Sequence, residues 1–130
     1  MNDFLKTLAV ASSGMSAQSA RLRISAENIS NVDTPGYKRK MVPFEEVMDR
    51  QTNSMLVRTG RQYLDQTELK RIYDPSHPMA DAGGYYDGSN VNMIIEVADS
   101  REAQRSYEAN LKIFDQSRKM ATALIDLLRR

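Results

Sequence analysis

One histidine and a few carboxylates are the side chains in this sequence whose spacing could support metal binding or catalysis. His77 lies between Asp74 and Asp81, which would let an imidazole and two carboxylates share a metal ion. Asp74 and His77 each precede a proline, however, and that pattern is typical of a turn. With one histidine and no cysteine, the chain could form a zinc site only if several carboxylates completed the ligand set. We therefore predict that this segment shapes a turn and holds no metal.

A second acidic group, at residues 45–49, could be taken for a pair of catalytic carboxylates. Glu45 and Asp49 are four residues apart, which would place both on one helix face as solvated charges. Catalytic pairs need surroundings that separate their pKa values, and nothing apolar surrounds these two. No nucleophile elbow, P-loop or dinucleotide motif occurs either. The sequence thus predicts no enzyme and no cofactor.

Size and charge narrow the class of protein further. A chain of 130 residues has room for one domain. Eighteen basic and seventeen acidic side chains leave a net charge of +1, so no strong field attracts nucleic acid. The basic run at residues 38–40 is interpreted as a solvated loop. No apolar run is long enough to span a membrane. The first residues lack a basic cluster, so we expect no cleaved signal peptide.

Both ends of the chain have the apolar periodicity of long helices. The first helix is predicted over residues 3–32, with Asn2 or Asp3 as its cap. Seven-residue spacing gives an apolar row of Met1, Leu8, Met15, Leu22 and Ile29, and a weaker companion row of Phe4, Ala11, Gln18, Ser25 and Val32. Small residues between positions 9 and 20 allow close approach on more than one side.

The last helix is predicted over residues 91–128, with a row in steps of four and three. The row consists of Met93, Val97, Ser100, Gln104, Tyr107, Leu111, Phe114, Arg118, Ala121, Ile125 and Leu128. Like the row of the first helix, it is interrupted by polar residues. We expect the two terminal helices to pair as an antiparallel coiled coil.

The middle of the chain is broken by proline and glycine. Pro35 and Gly36, followed by Tyr37, have the chemistry of a type II turn that ends the first helix. Short strands are predicted near residues 41–44, 55–57 and 69–73. The predicted fold is mainly α, with a small irregular β-rich middle segment. Its parts are residues 1–33 and 91–130, which form one discontinuous helical domain, and residues 34–90 between them.

Three asparagines occupy helical positions, where this residue is intrinsically unfavourable. Asn28 and Asn110 lie within the predicted helices, and Asn31 lies near the end of the first one. We expect them to make specific hydrogen bonds, with helix termination as the alternative for Asn31.

These residues resemble a known family. Residues 13–18 read SGMSAQ and residues 26–37 read AENISNVDTPGY, which is similar to the N-terminal signature of bacterial flagellar rod and hook proteins. Residues 73–85 read YDPSHPMADAGGY and residues 103–110 read AQRSYEAN, which resemble the proximal-rod members. The resemblance covers nearly the whole chain. It departs from the family at residues 85–90 and at Arg129 and Arg130.

The resemblance implies a structural subunit of the basal-body rod, polymerising helically into a hollow shaft that transmits motor torque. Its partners would be copies of itself, other rod proteins, adaptor proteins at the membrane ring and rod base, and the flagellar type III export apparatus. The chain would lie in the periplasm after export without a cleaved signal. A different rod or hook protein, a coiled-coil adaptor or export chaperone and, last, a metal enzyme are the alternatives.

Two sets of residues carry this hypothesis. The first is assigned to the helix pair and the contacts between subunits: Leu8, Met15, Leu22, Asn28, Ile29, Asn31, Tyr107, Asn110, Leu111, Phe114, Ala121, Ile125 and Leu128. The second is assigned to turns: Pro35, Gly36, Tyr37, Asp74, Pro75, His77 and Pro78.

Overall fold

The computed structural model describes residues 2–130, with side chains from Asp3 onward. Two helices, α1 (Asn2–Ser30) and α2 (Met93–Leu128), enclose six short strands. The strands are β1 (Lys40–Met41), β2 (Phe44–Asp49), β3 (Ser54–Thr59), β4 (Tyr63–Leu64), β5 (Arg71–Tyr73) and β6 (Tyr85–Asp87). This confirms a mainly helical protein with a small strand-containing middle. Met1, the first member of the predicted apolar row, lies outside the described residues. The two residues predicted as caps, Asn2 and Asp3, both lie within the first turn of α1.

The two helices lie side by side in opposite directions. Gly14 of α1 lies against Asn110 of α2, and Asn28 bonds Glu96. In both pairs the residue numbers add up to 124, so Asn2 at the start of α1 lies opposite position 122. Because α2 runs on to Leu128, its last turns extend past α1. We call residues 123–130 the overhang.

Local chemistry accounts for the helix boundaries. Asn92 is the N-cap of α2, and its side chain accepts hydrogen bonds from the amides of Ile94 and Ile95. The helix therefore begins at Met93 and continues unbroken to its end. At the end of α1, the Asn31 side chain donates to the carbonyl of Glu27 at 2.8 Å, and the Asn31 amide donates to the same carbonyl at 3.2 Å. Asn31 thus acts at the helix end.

Small residues let α1 pack on two sides. The Gly14 backbone lies so close to α2 that an added Cβ would be 2.7 Å from Nδ2 of Asn110. A neighbouring position, Ser13, accepts a hydrogen bond from the amide of Val57 in β3 at 3.2 Å. Ala11 and Ala17 are buried. The expected close approach on more than one side of this helix is therefore confirmed.

The strands form three separate antiparallel pairs, β1 with β4, β2 with β3, and β5 with β6. The β2–β3 hairpin turns through residues 50–53, where Asn53 has a positive φ of 51°. Glu45 and Asp49 belong to β2, so the prediction that they share a helix face was wrong. Asp49 instead accepts bonds from the Gln51 amide and the Thr52 hydroxyl, which hold the hairpin turn. Neither helix within residues 2–130 is both long and apolar enough to cross a membrane.

Candidate assembly interface

A buried polar cluster connects the end of α1 to the start of α2. We call it the junction, and it consists of Asn28, Tyr37, Arg39, Lys40 and Glu96. Asn28 is 1% exposed and bonds three of the others. Its Oδ1 accepts from the Tyr37 hydroxyl at 2.8 Å and the Lys40 amide at 2.9 Å, and its Nδ2 donates to the Lys40 carbonyl and to Glu96. Asn28 therefore fixes the direction in which the chain leaves α1.

The centre of the junction is an ion pair between Glu96 and Arg39. The Glu96 side chain is 1% exposed, and its Oε1 accepts from Nε of Arg39. Arg39 also bonds Asp99 at 3.0 Å, and Arg21 of α1 lies 3.6 Å from the same carboxylate. Burial lowers the pKa of Arg39, but the hydrogen bond and charge of Glu96 outweigh burial and raise it. The cation is therefore permanent, as a buried carboxylate partner requires.

The predicted turn after α1 positions Tyr37 for this cluster. The Thr34 carbonyl accepts from the Tyr37 amide at 3.1 Å, and Gly36 between them has a φ of 75°. Proline followed by a residue with positive φ is the arrangement of a type II turn. Burial, and then the charge of Glu27, raise the pKa of the Tyr37 hydroxyl. The hydroxyl thus keeps the proton that it donates to Asn28.

Residues 89–91, which come just before α2, bond to the part of the chain that leaves α1. The Ser89 hydroxyl donates to the carbonyl of Val32, and Asn90 Oδ1 accepts from the Arg39 amide at 2.6 Å. Val91 is fully buried. These bonds tie residues 89–91 to the chain leaving α1, so the two ends of the middle segment are held together beside the helix pair.

A cleft of about 370 Å³ opens beside the junction. Its walls include apolar side chains of α1 and the strands, among them Ile24, Phe44 and Tyr63. Glu96 and Asp99 line the polar side. The second carboxylate oxygen of Glu96, Oε2, is buried and has no hydrogen-bond partner among residues 2–130.

The contact between the helices has seven-residue spacing but consists largely of small and polar residues. On α2, buried or half-buried positions run in two rows. They are Glu96, Ala103, Asn110 and Ser117 in one row, and Ser100, Tyr107, Phe114 and Ala121 in the other. On α1 the corresponding rows are Ala11, Gln18 and Ser25, and Gly14, Arg21 and Asn28. The residues Ala11, Gln18 and Ser25 of the predicted companion row are therefore buried or half-buried.

The predicted apolar row of α2 is only partly covered. Tyr107, Phe114 and Ala121 are half-buried, but Leu111 is 44% exposed, and Ile125 and Leu128 are also exposed. Packing against α1 takes Asn110 in place of Leu111, one position earlier. Asn110 donates to the Ser106 carbonyl at 3.1 Å while it contacts Gly14. On α1, the predicted residues Leu8, Met15, Leu22 and Ile29 are all half-buried.

The second set of predicted turn residues lies in a separate element, which we call the arm (residues 71–87, comprising β5, a loop and β6). Asp74 Oδ1 accepts from the amide and hydroxyl of Ser76, and the carbonyl of Asp74 accepts from the His77 amide at 3.0 Å. His77 stacks on Tyr86 with ring centroids 3.8 Å apart. Pro75 and Pro78 are exposed within this loop.

The carboxylates of the arm are used to hold its backbone. Asp81 accepts from the amides of Gly83 and Tyr85 and from the guanidinium of Arg71. The hydrogen bond from the Ser76 side chain lowers the pKa of Asp74, and the backbone bond from Tyr85, then that from Arg71, lower the pKa of Asp81. In the part of the chain that the structure describes, no three acidic or histidine side chains come together as metal ligands.

Sequence patterns did not predict the roles of two junction residues, Arg39 and Lys40. Residues 38–40 were expected to form a solvated loop, but Arg39 bonds Glu96 and Asp99, and Lys40 pairs with Glu27 at 2.5 Å. That expectation was wrong for both residues, because their partners lie in the helices. The signal that could have found them is Glu96, an acidic residue within the first turn of a helix that follows an asparagine cap.

Comparison with known proteins identifies both ends of the chain. A model described as "Flagella basal body rod protein" matches residues 8–38, and one described as "Flagellar basal body rod FlgEFG protein C-terminal" matches residues 82–127. Relatives named "Flagellar basal-body rod protein FlgC" include those of Agrobacterium fabrum, Buchnera aphidicola and Salmonella typhimurium. They are 42%, 37% and 30% identical, over 92%, 85% and 91% of this chain and 91%, 88% and 92% of the relative. The chain therefore belongs to the FlgC family of flagellar basal-body rod proteins, and it is a structural subunit of the basal body rather than an enzyme.

Proposed function

We propose that this subunit polymerises helically, with copies of itself and other rod proteins, into the proximal part of a hollow rod that transmits motor torque. Family membership supports the rod assignment. The observation that carries the assembly step is an uncovered apolar surface on α2. We call it the α2 flank, and it consists of Met93, Val97, Leu111 and Ile125, all exposed.

The α2 flank has the geometry of a contact with another helix. Leu111 lies fourteen residues from both Val97 and Ile125, so the three side chains recur at whole heptads on one side of the helix. The three side chains are exposed and lie roughly 21 Å apart along the helix, with Gln104 and Arg118 at the heptad positions between them. If this surface is buried against a neighbouring subunit, the contact is stabilised by about 25 cal/mol for each Å² of apolar surface that is removed from water.

A coiled coil between subunits is the packing that this arrangement favours. Within one chain, α1 and α2 already meet at heptad-spaced positions, although the residues there are small and polar. The larger side chains Leu8, Met15, Leu22 and Ile29 flank that contact and are half-buried. We assign them, together with the α2 flank, to helix packing shared between neighbouring copies. Repetition of a contact that does not close on itself produces a filament.

The proposed division into a helical domain and a middle segment follows from where these surfaces lie. Residues 1–33 and 91–130 would form the helical domain that polymerises, because the helices and the α2 flank lie there. Residues 34–90 would form the outward segment, held to the helices by the junction. This division is supported by the bonds from Ser89 and Asn90 to residues 32 and 39, which bring the two boundaries together.

The remaining parts of the proposal rest on the family and on the sequence. The subunit would reach the periplasm through the flagellar type III export apparatus without a cleaved signal peptide, and would meet adaptor proteins at the rod base and membrane ring. A secretion assay of the untagged chain in a strain that lacks the export apparatus tests it.

The experiment that tests assembly replaces Leu111 by Asp in a strain that lacks its own copy of the gene. Leu111 is 44% exposed, so its loss leaves the fold of the single chain intact. A charge buried in the contact between helices costs several kcal/mol unless it is paired, so we expect Leu111→Asp to abolish swimming while export continues. The matched control is Gln116→Asp, which introduces the same charge at another exposed position of α2. Normal swimming with Leu111→Asp would sink the proposal.

A further inference from the structure

The chain has one histidine, and its imidazole holds part of the arm together. The amide of Met79, two residues further along, donates to Nδ1 of His77 at 3.1 Å. The imidazole ring stacks on the Tyr86 ring of β6, with 3.8 Å between the ring centroids and 8° between the ring planes. His77 therefore contacts β6 through the face of its ring and its own loop through Nδ1.

The bond from Met79 fixes the protonation state of the imidazole in this conformation. A ring nitrogen that accepts a hydrogen bond carries no proton, so the proton of the neutral ring is on Nε2. When the imidazole takes up a second proton, both ring nitrogens become donors. The Met79 amide then faces another donor and loses its acceptor. This hydrogen bond therefore exists only while His77 is neutral.

The other neighbours of His77 accept a positive charge on the ring. A cation over the face of a tyrosine ring is attracted to it, so the imidazolium keeps its place on Tyr86. Asp74 lies in the same loop, and its pKa is lowered mainly by the hydrogen bond from Ser76 and in smaller part by the charge of His77. Protonation thus removes the bond from Met79 without expelling the ring from β6.

The remaining charged side chains of the arm are paired with one another. Arg71 of β5 bonds Asp81 at 2.7 Å and Asp87 of β6 at 3.0 Å. The pKa values of Asp74 and Asp81 are both lowered from 3.8, so these carboxylates stay charged between about pH 5 and pH 8. Histidine is the side chain whose charge ordinarily changes in that range. A transition of the arm within it is therefore assigned to His77.

We propose that residues 77–80 form a pH-sensitive turn, which is closed while the imidazole of His77 is neutral and opens when the imidazole is protonated. The carbonyl of His77 accepts from the Ala80 amide at 3.0 Å in the closed turn. Pro78 and Met79 are exposed on this turn, so its opening changes the surface of the arm. The inference concerns the arm alone and is independent of the proposed polymerisation, which uses the helices.

Nuclear magnetic resonance of the full chain labelled with nitrogen-15 tests the turn. The imidazole nitrogen shifts report the tautomer, and a scalar coupling across the hydrogen bond connects the Met79 amide nitrogen to Nδ1 of His77. At about pH 8 we expect the proton on Nε2 and a measurable coupling, and at about pH 5 we expect no coupling. The protection of the Met79 amide from hydrogen exchange, relative to an unstructured peptide at the same pH, should fall about fivefold, which corresponds to about 1 kcal/mol for one hydrogen bond.

Two substitutions of His77 separate the hydrogen bond from the ring stacking. His77→Asn places an amide oxygen as many bonds from the backbone as Nδ1, so it accepts from the Met79 amide and does not titrate. Met79 should then be protected at both pH values. His77→Phe keeps a ring for Tyr86 but has no acceptor, so Met79 should be unprotected at both. The amides of α1 and α2 control for an intact fold and should not change.

Three results would overturn this proposal. They are a proton on Nδ1 at about pH 8, equal protection of Met79 at both pH values in the unmodified chain, and a fall in protection that persists in His77→Asn. Each of these leaves the proposed rod function standing, because no surface assigned to polymerisation lies in the arm.

Discussion

The junction and the arm are built from the same kinds of residues but are held by different forces. The junction together with the turn that leads into it, and likewise the arm, contains a proline, a glycine with positive φ and an arginine that bonds two carboxylates. In the junction, the carboxylate of Glu96 is buried and Asn28 satisfies backbone groups of the adjoining strand. In the arm, Arg71 and both of its partners are about half exposed. The same turn chemistry thus produces a buried connection between two helices in one region and a self-contained surface element in the other.

The largest expected difference between the two regions concerns their arginines. Arg39→Met leaves the Glu96 carboxylate buried without its cation, so we expect a loss of about 3 kcal/mol in the free energy of unfolding. Arg71→Met removes two exposed ion pairs and should change it little, because solvent screens such pairs. Thermal and denaturant unfolding, followed by the circular dichroism of the helices, measures the free energy of unfolding of both variants. Equal losses for the two variants would show that burial does not separate the regions.

For the two glycines, the larger effect of a substitution is expected in the arm and the smaller one beside the junction. Gly36 has a φ of 75° and open space where a Cβ would lie, so Gly36→Ala has only the cost of the left-handed backbone, about 1 kcal/mol. Gly84 has a φ of 83°, and an added Cβ would lie 2.9 Å from the Tyr73 ring and 3.0 Å from Pro75. Gly84→Ala therefore has that backbone cost plus a clash. Hydrogen exchange of the β5–β6 amides should show the arm opening in Gly84→Ala, with smaller changes around residue 36 in Gly36→Ala. Unchanged hydrogen-exchange protection of the arm in Gly84→Ala would contradict the close approach of Gly84 to Tyr73 and Pro75.

The smallest effects should appear at opposite ends of the pH scale. The pKa of Tyr37 in the folded chain is raised from its ordinary value of 10.0 by burial, so its contribution is complete below pH 10 and is lost as the pH rises through the folded value. The pKa values of Asp74 and Asp81 are lowered from 3.8 by their hydrogen bonds. Their contribution is complete above that pH and is lost as the pH falls through the folded values. Amide resonances should thus change at alkaline pH around Lys40 and at acidic pH around Ser76 and Gly83. Tyr37→Phe and Asp74→Asn are the controls, because each should remove its own transition only.

The sequence predicted the turns better than the contact between the helices. Proline, glycine and aspartate specify turns through local geometry, so Gly36 and Asp74 could be read without knowledge of the fold. Apolar periodicity, by contrast, placed Leu111 in the packing row and left Asn110 beside it as a hydrogen-bonding residue, whereas Asn110 is the one that contacts α1. The helices approach each other at Gly14, where a leucine would not fit. The single chain leaves Leu111, Ile125 and Leu128 of the predicted row exposed, and we propose that assembly covers them.

The sequence by itself determined the two long helices, the broken middle between them and the residues of the family signature. These follow from local propensity, seven-residue spacing and turn chemistry, which act over a few neighbouring positions. Only the tertiary structure decided that Arg39 bonds Glu96, that Asn28 joins three parts of the chain, and that the end of α2 extends past α1. Such facts depend on which distant segments meet, and the burial that makes the Glu96 pair strong exists only after they have met.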